Sequence, residues 1–147
     1  MTRSDLALAL ISQRARSDGE RYPLDRIRLQ KAIFLLTQRG NPEWQRLYAY
    51  EPYNWGPYSS QLATDMDSLV RGAIAEVENL PDSRYGSYGT TSDGEKQAAD
   101  IWAELKLRER DFIRSVRAYV TRRSFVELLR EIYAAYPEYA TASQFTG

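Results

Sequence analysis

Leu29, Ala32, Ile33 and Leu36 fall at i, i+3, i+4 and i+7, the spacing of a helix with one apolar face. Pro23-Leu24-Asp25 opens that helix and Gly40-Asn41-Pro42 stops it. Ahead of it, the apolar run Leu6 to Ile11 follows Thr2, Ser4 and Asp5, whose side chains suit the free N–H groups of a first turn. A helix is expected from there through about Ala15, with Asp18-Gly19 ending it. Leu62, Met66, Leu69 and Val70 recur at i, i+4, i+7 and i+8 and predict a third helix that ends near Gly72. Its outward face is expected to carry Gln61, Thr64, Asp65 and Ser68.

Two further helices announce themselves by capping boxes, Ser92-x-x-Glu95 and Ser124-x-x-Glu127, in which hydroxyl and carboxylate satisfy free N–H groups reciprocally. Ala98, Ile101, Trp102 and Leu105 form the apolar stripe behind the first. Phe125, Leu128, Leu129, Ile132 and Tyr136 form that behind the second, ended by Pro137. Between them Phe112, Val116, Tyr119 and Val120 predict helix over residues 109–121, separate or continuous with the one before. Leu47 to Glu51 reads as extended and leads into Pro52-Tyr53-Asn54-Trp55-Gly56-Pro57-Tyr58, where two prolines and a glycine predict an irregular turn. Ala73 to Val77 and Arg84 to Thr90 read as two strands joined by a loop containing Pro81-Asp82. The resulting expectation is a mainly α (α+β) single domain over residues 1–147. It has a winged-helix-like core at about 4–106 with one β-hairpin, additional C-terminal helices at about 108–137, and a loosely held tail at 138–147.

Composition adds exclusions. With 147 residues and 43 % apolar content, the chain can enclose one core, and its 20 basic and 20 acidic residues cancel, so self-repulsion does not oppose folding. Cys and His are both absent, which removes thiol nucleophiles, imidazole bases, disulfides and the usual zinc or haem ligands. Carboxylate or Ser-Lys chemistry remains, but no spacing singles out a pair. Asp65 and Asp67 are two apart on a helix and point in different directions, and Gly86 and Gly89 lack the context of a phosphate loop. A non-enzymatic protein without metal or cofactor is expected. No apolar run reaches bilayer length, and the first residues are too polar-flanked for a secretory signal, so the expected location is cytoplasmic, with no membrane partner.

The expected order of helices and wing is that of DNA-binding regulators, which insert the helix before the wing into the duplex. Charge argues against it. Residues 51–100 hold three basic and nine acidic side chains, a net of minus six around that helix, and phosphate binding needs the opposite sign. Arginines lie elsewhere: Arg14, Arg16, Arg21, Arg26 and Arg28 near the first two helices, and Arg114, Arg117, Arg122 and Arg123 on the penultimate one. These four are the candidate nucleic-acid contacts if the clusters converge; the plainer reading is a solvated helix face. The turn around Gly56-Pro57 concentrates Tyr53, Trp55 and Tyr58, which serve equally well as anchors for a partner or as plugs of the core. Lys31 is expected to flank its helix's apolar face and to snorkel toward water.

Leu29-Gln30-Lys31, the turn Tyr53-Asn54-Trp55-Gly56-Pro57-Tyr58-Ser59, and Leu69-Val70-Arg71-Gly72-Ala73-Ile74 together resemble the Panacea domain family. Its members are antitoxin proteins of bacteria and phages similar to the SocA proteolytic adaptor, related in turn to YwgA-like uncharacterised proteins. The resemblance spans roughly residues 25–75. Tyr88-Gly89-Thr90-Thr91-Ser92-Asp93-Gly94 and Tyr136-Pro137-Glu138-Tyr139-Ala140 fit the longer YwgA-like layout, as does Tyr58-Ser59 after Gly56-Pro57. The resemblance implies an antitoxin-like module that binds a partner protein, a toxin or protease machinery, and it carries over no catalytic residue. On this reading Tyr53, Trp55, Tyr58, Gln61, Asp65 and Ser68 form the partner surface, with Gly56 and Pro57 shaping the turn.

Overall fold

A computed structural model describes residues 1–81 and 83–145; Asp82 of the expected Pro81-Asp82 loop, and Thr146 and Gly147 of the expected tail, lie outside the described residues. Helix α1 spans Arg3–Ile11, and Leu6 to Ile11 are each no more than 2 % exposed. A helix apolar on every face has to run through the middle of the core, and α1 does so. A 3₁₀ turn, Gln13–Ala15, carries the chain out of it. Helix α2, Arg26–Arg39, is capped by Asp25, whose side chain accepts from the Arg28 N–H, and it is buried without interruption from Arg28 to Thr37. Gly40-Asn41-Pro42 stops α2 as expected. The same residues start a short helix that the pattern did not suggest, α3 (Pro42–Gln45), because Asn41 caps it at the Trp44 N–H and proline is compatible with a first helical position. Trp44 is thereby set into the core.

Two hairpins follow where one was expected. The first pairs β1 (Glu51–Tyr53) with β2 (Gly56–Tyr58), and the second pairs β3 (Ala75–Glu78) with β4 (Ser87–Thr90). The prolines did not forbid the first hairpin, because Pro52 stands opposite Pro57 in a sheet of only two strands, where donors are dispensable. Between the hairpins lies α4, Ser60–Arg71, capped by Ser59. Its end is a left-handed residue at Ala73, not at Gly72: Ala73 has φ +57, and the Ile74 N–H donates back to Leu69 O at 2.9 Å.

Helices α5 (Ser92–Glu104), α6 (Leu107–Arg122) and α7 (Phe125–Ala135) complete the domain. The capping box at Ser124 forms as read. The one at Ser92 does not: Thr91 is the cap, and Glu95 turns instead to the Thr90 hydroxyl at 2.6 Å and the Gln13 N–H at 3.2 Å. The shift has a steric cause, since it sets Gly94 against the edge of β3, where an added Cβ would lie 1.9 Å from Ile74 O. Helices α5 and α6 are separate, broken at Leu105 and Lys106. The described part of the tail is held down: a 3₁₀ turn, Pro137–Ala140, packs Tyr139 on Phe34, and the Gln144 N–H donates to Asn54 O. The molecule is mainly helical α+β, and among the described residues no helix is long and apolar enough to cross a membrane.

Candidate functional site

The first hairpin turns through Asn54 and Trp55, both at negative φ, and Gly56 follows at φ +97, the combination of a tight turn closed by a glycine bulge. Gly56 has a second reason to lack a side chain. A Cβ there would come within 3.3 Å of both the Lys31 Cε and Leu129 Cδ1, which would have to give way for the hairpin to lie as closely on α2 and α7. Gln30 fixes the other end. Its Nε2 donates to Ser59 O and its Oε1 accepts from the Ser59 N–H, both at 2.9 Å, in a buried two-bond clamp worth about 1 kcal/mol per bond. Leu29-Gln30-Lys31 thus reads as core residue, clamp and buried amine.

Anchored in this way, the hairpin splits the aromatic residues that the sequence left open between core and binding. Tyr53 is 48 % exposed and stacks on Tyr58 with centroids 4.8 Å apart; Trp55 is 37 % exposed and meets Phe125 edge-on at 5.6 Å. Neither Tyr53 nor Trp55 plugs the core. Behind them, between α2, α4 and the two hairpins, is a partly enclosed cavity of about 490 Å³. Lys31 reaches into it at 4 % exposure, alongside Arg26, Asp67, Trp55, Tyr58 and Tyr88. Lys31 does not snorkel to the outer surface; with the hairpin laid over α2, its amine ends in this cavity. Burial pushes its amine down to about 7, opposed only by the charge of Asp25, and no described residue hydrogen-bonds it. Burial likewise raises the Tyr88 phenol.

Of the residues expected on the outward face of α4, Gln61 and Ser68 are exposed. Asp65 is not available there. The Arg3 guanidinium donates two bonds to its carboxylate at 2.9 Å each, and the Tyr48 hydroxyl donates a third at 2.6 Å. Partial burial works against its charge, but these donors outweigh it and hold the carboxyl below the usual range. Asp65 pins α4 to the start of α1. Asp67 remains exposed at the lip of the cavity.

The arginines of α6 also depart from expectation. Arg117 is 1 % exposed: Nε donates to Glu20 at 2.9 Å and Nη1 to Leu10 O at 2.7 Å, which excludes it as a phosphate contact. Arg114 donates to Arg14 O and stacks over Trp102 at 4.7 Å, Arg122 donates to Asp18 O, and Arg123 pairs with Glu131 at 2.7 Å. Arg28, from the other cluster, reaches the carbonyls of Val120 and Arg123. Arg14 and Arg28 therefore meet the α6 arginines, around main-chain carbonyls that are tied together there, while Arg26 lies apart over the Tyr85 ring.

Sequence reasoning missed the cavity, with Arg26, Lys31, Asp67 and Tyr88 brought to it by three separate elements. The local signal was Gly56-Pro57 with Leu29-Gln30-Lys31; the pairing between them is a tertiary fact. No family model, no curated protein and no solved structure matches the chain.

Proposed function

We propose that the protein is a non-enzymatic binding module, an antitoxin-like adaptor that takes hold of a partner protein, such as a toxin or protease machinery, through the first hairpin. The observation that carries this reading is the hairpin tip: two large aromatics, Tyr53 and Trp55, held half-exposed on a turn clamped from behind by Gln30 and Gly56. Exposed aromatics on a pre-ordered support contribute large contact area at little entropic cost, which is what binding hot spots use. Gln61 and Ser68 on the adjoining helix supply a polar margin, whereas Asp65 is withdrawn from it by Arg3 and Tyr48.

The test is co-expression with the product of an adjacent toxin-like reading frame, followed by affinity measurement on the purified pair. Trp55→Ala and Tyr53→Ala are expected to weaken binding by about tenfold or more while leaving the fold intact. Unchanged affinity in both variants contradicts the placement. Steeply salt-dependent binding of duplex DNA, lost on replacing the exposed Arg14 and Arg122, favours the transcriptional-regulator alternative instead.

A further inference from the structure

Lys31 is 4 % exposed, has no hydrogen-bonding partner among the described residues, and lines a partly open cavity of about 490 Å³, so its amine is left to whatever enters there, water or a ligand. That volume falls within the range of small-ligand sites. Trp55 and Tyr58 from the first hairpin and Tyr88 from the second give the cavity aromatic walls, with Lys31 inside and the exposed Arg26 at the rim. Arg26 is engaged over the Tyr85 ring at 3.8 Å, and Asp67 stands at the rim with opposite charge. One buried cation is thus left for a ligand, and a second negative charge on that ligand meets Asp67. This excess of a single charge suits a monoanion better than a phosphate dianion.

We propose that the cavity binds a monocarboxylate with a flat apolar body, its carboxylate set against Lys31 and its body between the aromatic walls. A free small molecule and an acidic side chain of a polypeptide both supply this chemistry, and the assignment of the site does not depend on the partner-protein reading. Binding draws a proton onto Lys31, since an anion at contact favours the charged amine. The groups around Lys31 are Asp25 and Arg26 on its own helix and Asp67 on α4. Tyr53 and Tyr58 face it from the first hairpin and Tyr85 and Tyr88 from the second. The Lys31 amine, pushed down to about 7, is placed to exchange a proton between pH 7 and 8.

Calorimetric titration of the full chain at pH 8, in two buffers of different ionisation enthalpy, tests this with 1-naphthoate, uncharged 1-naphthamide, and a blocked peptide carrying one glutamate beside a phenylalanine with its glutamine counterpart. Naphthoate is expected to bind about tenfold or more tightly than naphthamide, with uptake of roughly one proton, and Lys31→Met is expected to abolish both the preference and the uptake. Binding of the glutamate peptide alone, with the same dependence on Lys31, retains the site and assigns the carboxylate to a polypeptide. Equal binding of acid and amide, affinity unaltered in Lys31→Met, or no binding of any probe overturns the proposal. The variant removes a buried amine without changing the stem's shape, so misfolding does not explain a loss, and its unfolding curve checks this.

Discussion

Of the buried cations, Arg117 and Lys31 have opposite surroundings. Arg117 on α6 has a carboxylate and a carbonyl at bonding distance, whereas Lys31 on α2 has an open cavity. Around Arg117 the neighbouring arginines are engaged in the same way, stapling the α1–α2 connection to α6. Around Lys31 the surface is aromatic and half-exposed. The contrast shows that charge on a helix says little about function until its partners are known. The conspicuous arginine stripe holds the fold together, and the inconspicuous Lys31 faces a pocket.

The largest effect is expected on the Lys31 side of the core. Phe34 holds it together, meeting Tyr50, Tyr136 and Tyr139 edge-on at 4.9 to 5.1 Å. Phe34→Ala is expected to cost about 3–5 kcal/mol in urea unfolding, the range for a large buried ring. A loss below about 1 kcal/mol means the hairpin and tail are docked by something else.

A smaller effect sharpens the contrast through pH. The folded Lys31 amine lies near 7, below its ordinary value, so the unfolded chain binds more protons above that pH and stability rises with it. Between pH 7 and 9 the gain attributable to Lys31 is about 2 kcal/mol, read as the difference between the wild-type and Lys31→Met unfolding curves. Parallel curves mean the amine is solvated. The smallest effect concerns Tyr50, whose buried hydroxyl lies near the Thr37 hydroxyl but makes no bond of good geometry. Tyr50→Phe is expected to leave thermal stability unchanged or raised by up to about 1 kcal/mol, and a clear loss points to a bond at that hydroxyl.

Much of this was legible in the chain. The apolar repeats placed α1, α2, α4, α5 and α7 because helical spacing is a local property, and Ser124-x-x-Glu127 closed as written because both partners lie within four residues. The second hairpin came out shorter but in place. What failed was tertiary. Pro52 and Pro57 looked like breakers until they were found opposite one another; Asp65 looked outward until Arg3 and Tyr48 arrived from distant segments; the Ser92 box lost its glutamate to Thr90 and Gln13. The cavity was invisible for the same reason, since α2, α4 and the two hairpins each bring only part of its lining.

Arg117 completes the fold, whereas Lys31 serves a ligand. Replacing each with methionine and measuring unfolding free energy at pH 7 tests this claim directly. Arg117→Met is expected to lose about 3 kcal/mol, because Glu20 and Leu10 O are left without their donor, while Lys31→Met is expected to gain about 2 kcal/mol or more, because only an unpaired amine is removed. Losses of similar size in both variants contradict the claim.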